Sequence, residues 1–151
     1  MSDKPGKIVP PFWAGIYLAA GLAGHYVWLA NGRGRWDAAG WGISVSALGF
    51  TLMFWAWKLF HLKGTAVCPF EESTHLITEG PYRFTRNPMY LGMTVLLLGI
   101  AVAAGTPPTL FAPLAFFLTV NFLFIPYEEK KMERIFSRPY LEYRRRVRRW
   151  V

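Results

Sequence analysis

From Pro88 to Tyr127 the chain runs forty residues without one charged side chain. As a single helix that stretch would measure about 60 Å at ~1.5 Å per residue, twice a hydrocarbon core of roughly 30 Å. Pro107-Pro108 stands near its middle, where a helix cannot continue. The stretch is therefore expected to fold back as a tight hairpin of two membrane spans, at about residues 89–105 and 109–126. Hydrophobic residues make up 53% of the chain and charged ones 17%, which excludes an ordinary soluble domain of this length.

Two further apolar runs precede the hairpin. Residues 12–30 carry no charge, and neither do residues 38–57, after which Lys58 can snorkel to the interface. They read as spans one (12–30) and two (38–60), joined by the polar turn Asn31-Gly32-Arg33-Gly34-Arg35. Lys4 and Lys7 before span one imitate a signal peptide, but the run is of about spanning length and no convincing small-x-small cleavage site follows, so a retained helix is expected. Residues 61–88 form a polar loop containing Pro69, Glu71, Glu72, Glu79, Arg83 and Arg86, which cannot face lipid. Residues 127–151 are amphipathic and basic, with Met132, Ile135, Phe136, Tyr140, Tyr143 and Val147 at helical intervals. Pro139 is expected to divide that segment into two short helices, with Ser137 capping the second.

The expected fold is thus all-α: one polytopic membrane domain over 1–151, with about four transmembrane helices and an amphipathic helical segment lying on the cytoplasmic surface. Fifteen of the seventeen Lys and Arg residues fall on the side shared by the N-terminus, the 61–88 loop and the C-terminal segment. That side is the cytoplasm by the positive-inside rule, in the inner membrane if the cell is bacterial. The net charge of +8 flanks apolar runs, so membrane lipids, and not nucleic acid, are the expected counter-charge. A single cysteine, Cys68, and three scattered histidines (His25, His61, His75) predict neither an intrachain disulfide nor a metal site. His25, inside span one with Tyr26 and Trp28, is a candidate lining of a substrate path.

Three signals carry the candidate chemistry. Leu76, Thr78, Gly80, Pro81 and Tyr82 form a turn, and Arg86-Asn87-Pro88-Met89-Tyr90-Leu91-Gly92 enters span three, with Asn87 as N-cap and Pro88 in the first turn. A helix N-terminus there can hold an anionic group. Glu128 and Glu129 follow at the end of span four, about 100° apart on a helix, so that one can face a pocket while the other faces water. Taken singly, the arginines also read as charge anchors, the tyrosines as interfacial belt residues and the glutamates as dipole partners.

In this order the signals resemble the integral membrane methyltransferases, which include isoprenylcysteine carboxyl methyltransferase and the phospholipid N-methyltransferases. The matching pattern is Leu-x-Thr-x-Gly-Pro-Tyr, then Arg-His/Asn-Pro-x-Tyr-x-Gly, an uncharged hairpin, Glu-Glu, and a closing motif met here by Phe136, Tyr140, Tyr143, Arg146 and Val147. This chain departs from it in having Ser137 where glycine is usual, Asn87 where the isoprenylcysteine enzymes have histidine, and no arginine just before the glutamates. The resemblance implies S-adenosylmethionine as cofactor and a lipophilic small-molecule acceptor. It implies that Arg86, Asn87 and the start of span three hold the cofactor carboxylate, that Glu128 or Glu129 holds its ammonium or ribose, and that Tyr82, Tyr90, Tyr140 and Tyr143 wall the sulfonium and adenine. Arg86 and Glu129 are the residues on which catalysis is expected to depend. Two other classes fit parts of the sequence: a non-catalytic four-helix lipid-binding protein, and a nicotinamide-dependent membrane reductase, for which no dinucleotide motif is visible.

Overall fold

The structure, a computed structural model, describes residues 9–64 and 74–151; Lys4, Lys7, Cys68, Pro69, Glu71 and Glu72 lie outside them. Among the described residues every regular element is helical. Helix α1 (Pro10–Ala30) opens on two prolines, whose absent N–H groups cost nothing in a first turn. Helix α2 (Ala39–Leu62) follows, then a single 3-10 turn at Gly80–Arg83 and helix α3 (Pro88–Ala104). A second 3-10 turn, Pro107–Leu110, turns the chain into α4 (Phe111–Thr119), as the proline pair requires. The second helix of the expected hairpin does not end at Pro126. It widens into a π turn at Val120–Phe124 and continues as α5 (Ile125–Arg146). A π turn removes the contact that a proline ring would otherwise make with the carbonyl four residues earlier, so Pro126 is carried without a break.

The expected break in the last segment is found at Ser137, the position given to the cap, two residues before Pro139. The helical angles fail at Ser137 (φ 45°, ψ −120°), a conformation that glycine adopts with little strain. The serine found where glycine is usual therefore sits in the one non-glycine position with positive φ among the described residues.

Packing is tightest between α2 and α3, through glycines seven residues apart on each helix. A Cβ on Gly49 would lie 2.7 Å from the Gly92 carbonyl oxygen, and one on Gly92 2.7 Å from that of Gly49. Only glycine lets the two backbones approach so closely, the small-residue packing common between helices in lipid. Helix α1 packs on the α3–α4 hairpin. The core beneath is Phe116, Val120, Phe124 and Ile125, each at most 1% exposed.

The outer surface has the opposite character for a water-soluble protein. Phe12, Ile16 and Tyr26 on α1, Trp41, Leu48, Phe50 and Trp55 on α2, and Leu114, Phe122 and Leu123 beyond α3 are all exposed. So many exposed large apolar side chains on three segments suit a membrane or interaction face. Two described stretches are long and apolar enough to cross a bilayer, Ala39–Leu62 and the continuous helical run Pro107–Arg146. Helix α3, with 17 residues, is shorter.

Candidate functional site

The start of α1, the end of α2, the 75–90 segment and α5 enclose a cavity of about 390 Å³, within the size range of small-molecule sites. The 3-10 turn buries Tyr82, whose ring lies 5.7 Å from that of Phe60 and whose carbonyl accepts a 2.7 Å hydrogen bond from the Tyr143 hydroxyl. That bond ties the turn to α5. Tyr90, in the first turn of α3, donates to Glu128 Oε1 across the α3–α5 gap.

The ionic centre of the cavity wall is Glu129. Arg86 Nη1 lies 2.8 Å from its Oε1, and the two side chains are 10% and 11% exposed. Arg149 grips both oxygens, Nε to Oε1 at 3.1 Å and Nη2 to Oε2 at 2.6 Å. Arg86 Nη1 also donates to the Tyr140 hydroxyl at 3.2 Å. The Nε of Arg86 is buried and has no hydrogen-bond partner. An unpaired buried donor costs about 1–3 kcal/mol, more when charged, and an acceptor on a ligand would recover it.

The segment after α5 holds this arrangement from below. Arg86 N–H donates to the Arg148 carbonyl, and the Arg149 carbonyl accepts from both Thr85 Oγ1 and Asn87 Nδ2, all at 3.0 Å. Trp150 Nε1 donates to Asn121 Oδ1 at 3.0 Å, inside the π turn.

Glu128 differs from its neighbour. It is half-buried, and burial pushes its carboxyl up to about 7, helped by the charge of Glu129 and opposed by the Tyr90 hydrogen bond and Lys131. Burial, with the charge of Glu128 adding to it, also raises the Tyr82 phenol, so Tyr82 remains protonated.

The cavity thus gathers Leu76, Tyr82, Arg86, Asn87, Tyr90, Glu128, Glu129, Tyr140 and Tyr143 from the residues singled out in the sequence. Both glutamates line it, where one was expected to face water. Thr78, Gly80, Pro81, Pro88 and Gly92 do not line it. Thr78 is exposed; Gly80 takes φ 58° against Leu59 and Trp55; Pro81 and Pro88 are buried in first turns; Gly92 belongs to the α2–α3 seam. Asn87 occupies the N-cap position, but its side chain makes no capping bond, being committed to the Arg149 carbonyl. His25, Tyr26 and Trp28 line no part of the cavity; His25 Nδ1 instead pairs with Thr106 Oγ1 at 2.9 Å. Sequence reading missed Arg149, one of five arginines among residues 144–149, and the apolar lining by Pro10, Phe60, Met93 and Met132. The period of the α5 stripe contained Met132, whereas nothing local distinguishes Arg149 from its neighbours.

Residues 38–139 match the profile of a family described as phospholipid methyltransferase. Protein-S-isoprenylcysteine O-methyltransferase B of Arabidopsis thaliana is 38% identical over 80 residues, 51% of this chain and 39% of that protein. A probable protein-S-isoprenylcysteine O-methyltransferase of Oryza sativa subsp. indica is 36% identical over 81 residues, 52% of this chain and 41% of that one. The chain thus aligns with about two-fifths of the length of these relatives. No solved structure matches it.

Proposed function

Because the chain belongs to the phospholipid methyltransferase family, we propose that it transfers a methyl group from S-adenosylmethionine to a lipophilic acceptor at the cytoplasmic face of a membrane. The observation that carries this reading is the unpartnered, buried Nε of Arg86 beside a cavity walled by tyrosines. A carboxylate on the ligand satisfies that donor, and the faces of Tyr82, Tyr90, Tyr140 and Tyr143 suit a sulfonium. When bound, the cofactor supplies an electrophilic methyl group on a positively charged sulfur.

The work left to the chain is alignment and exclusion of water, which can contribute about 7–11 kcal/mol through effective molarity. Arg86, fixed by Glu129 and Tyr140, orients the ligand's acidic end. Glu128, held by Tyr90 Oη, offers the cavity a carboxyl that changes charge near neutral pH; it can take up a proton from an acceptor or face a cationic group. Met93, Met132 and the Pro10-Pro11 start of α1 make the apolar side of the cavity, where a lipophilic acceptor would lie.

This reading takes residues 1–151 as one membrane domain crossing the bilayer four times, with both ends and the cavity on the cytoplasmic side. The basic α5 then lies along anionic headgroups. Calorimetry in detergent tests it. S-Adenosylhomocysteine should bind, a reduced nicotinamide nucleotide should not, and Arg86→Gln should lose the binding. Methyl-labelled cofactor should then mark a component of a membrane lipid extract. Absence of S-adenosylhomocysteine binding, or binding indifferent to Arg86→Gln, refutes the proposal.

A further inference from the structure

We propose that Arg149 is a positioning residue whose charge keeps the Nε edge of Arg86 available to a ligand carboxylate. The inference rests on the reading of the cavity given above. Glu129 has two oxygens, and an arginine left alone with a buried carboxylate pairs with both of them through its planar fork. Here Arg149 takes that bidentate place, Nε on Oε1 and Nη2 on Oε2, and Arg86 reaches Glu129 through Nη1 only. The consequence is the orphaned Arg86 Nε.

Charge accounting agrees with the geometry. Arg86, Glu129 and Arg149 together leave one positive charge beside the cavity, where Arg86 and Glu129 alone would leave none. The other ionisable groups lining that wall are Glu128 and Lys131 on α5, Tyr82 on the 3-10 turn, Tyr90 on α3, Tyr140 and Tyr143 on α5, and His75. Glu128 is engaged by Tyr90 and makes no bond to the Arg86 Nε. The three backbone and side-chain bonds that Arg148 and Arg149 carbonyls accept from Thr85, Arg86 and Asn87 fix Arg149 in register with Arg86.

The test compares two ligands within each variant: S-adenosylhomocysteine, which carries the carboxylate, and 5′-methylthioadenosine, which lacks it. Taking the ratio of their Kd values cancels any common loss of folded protein. Arg149→Gln should shrink the wild-type preference for S-adenosylhomocysteine at least roughly tenfold, a shift of about 1.4 kcal/mol. Arg149→Lys, which keeps the charge but cannot pair with both Glu129 oxygens as the fork does, should give a preference between those of wild type and Arg149→Gln. The double variant Glu129→Gln/Arg149→Gln, which restores one net positive charge but removes the ion that fixes Arg86, should recover part of the preference lost in Arg149→Gln; a merely structural role for Arg149 predicts no recovery. A preference unchanged in Arg149→Gln, or unrecovered in the double variant, overturns the inference while leaving the cofactor reading intact. A wild-type protein that binds neither ligand removes both.

Discussion

The two ends of α3 are closed in different ways. At the Gly105 end the bonds join neutral groups: Trp36 N–H donates to the Gly105 carbonyl at 3.0 Å, Trp36 Nε1 to the Val102 carbonyl at 3.1 Å, and Thr109 Oγ1 to the Thr106 and Ala101 carbonyls. His25 completes it with Thr106, which is fully buried. At the Pro88 end the same helix meets two glutamates and two arginines around an open volume, and one charged donor has no partner. Neutral donors and acceptors, even from distant segments, can satisfy one another completely, and that end is closed. Buried ions need partners supplied from distant segments, and the geometry that holds them leaves capacity for a ligand.

The sharpest way to break the contrast is Glu129→Ala. It strands two arginines, one of them deeply buried, and breaking a buried ion pair costs about 3–5 kcal/mol. Denaturant or thermal unfolding in detergent should show that loss together with loss of ligand binding. Gly99→Ala acts between the ends: its Cβ would come 2.6 Å from the Gly42 carbonyl oxygen, so the α2–α3 seam must open, at about 1–3 kcal/mol. Its melting temperature should fall while the ratio of ligand affinities at the cavity changes little.

Glu128 gives a pH signature to the charged end alone. Its carboxyl stands at about 7 in the folded protein against 4.5 when free, so the folded state holds the proton more tightly. Stability attributable to Glu128 is therefore fully present below about pH 4.5 and declines as pH rises to about 7, after which it is level. Comparing wild type with Glu128→Gln across that window should isolate the slope, and equal slopes would show that Glu128 is not the titrating group. At the neutral end, His25→Leu should cost only about 1 kcal/mol, one hydrogen bond's net worth, with binding of S-adenosylhomocysteine, the probe of the proposed site, unmoved. Smallest is Ser137→Gly, which should raise stability by a few tenths to about 1 kcal/mol by relieving a positive φ.

Much of this was legible in the residues. The uncharged stretch with its proline pair specified a hairpin, and α1, α2 and α3 begin and end within two residues of the expected runs. Local rules reach that far because helix length and turn position depend on neighbouring residues. The tyrosines, Arg86 and the glutamate pair were also visible as a set, by their order along the chain. Their assignment was not, because Thr78, Gly80, Pro81, Pro88 and Gly92 are the same kinds of residue whether they touch a ligand or shape a turn.

The order of charged and uncharged segments by itself determined the helical, lipid-facing character of the chain, since water and hydrocarbon act on each residue through its own chemistry. Only the tertiary structure decided that Arg149, twenty residues beyond Glu129, occupies that carboxylate, that Asn87 serves the segment after α5 and not its own helix, and that His25 closes the far end. Those are pairings between groups remote in sequence. Each competes with several chemically equivalent partners, and packing selects among them.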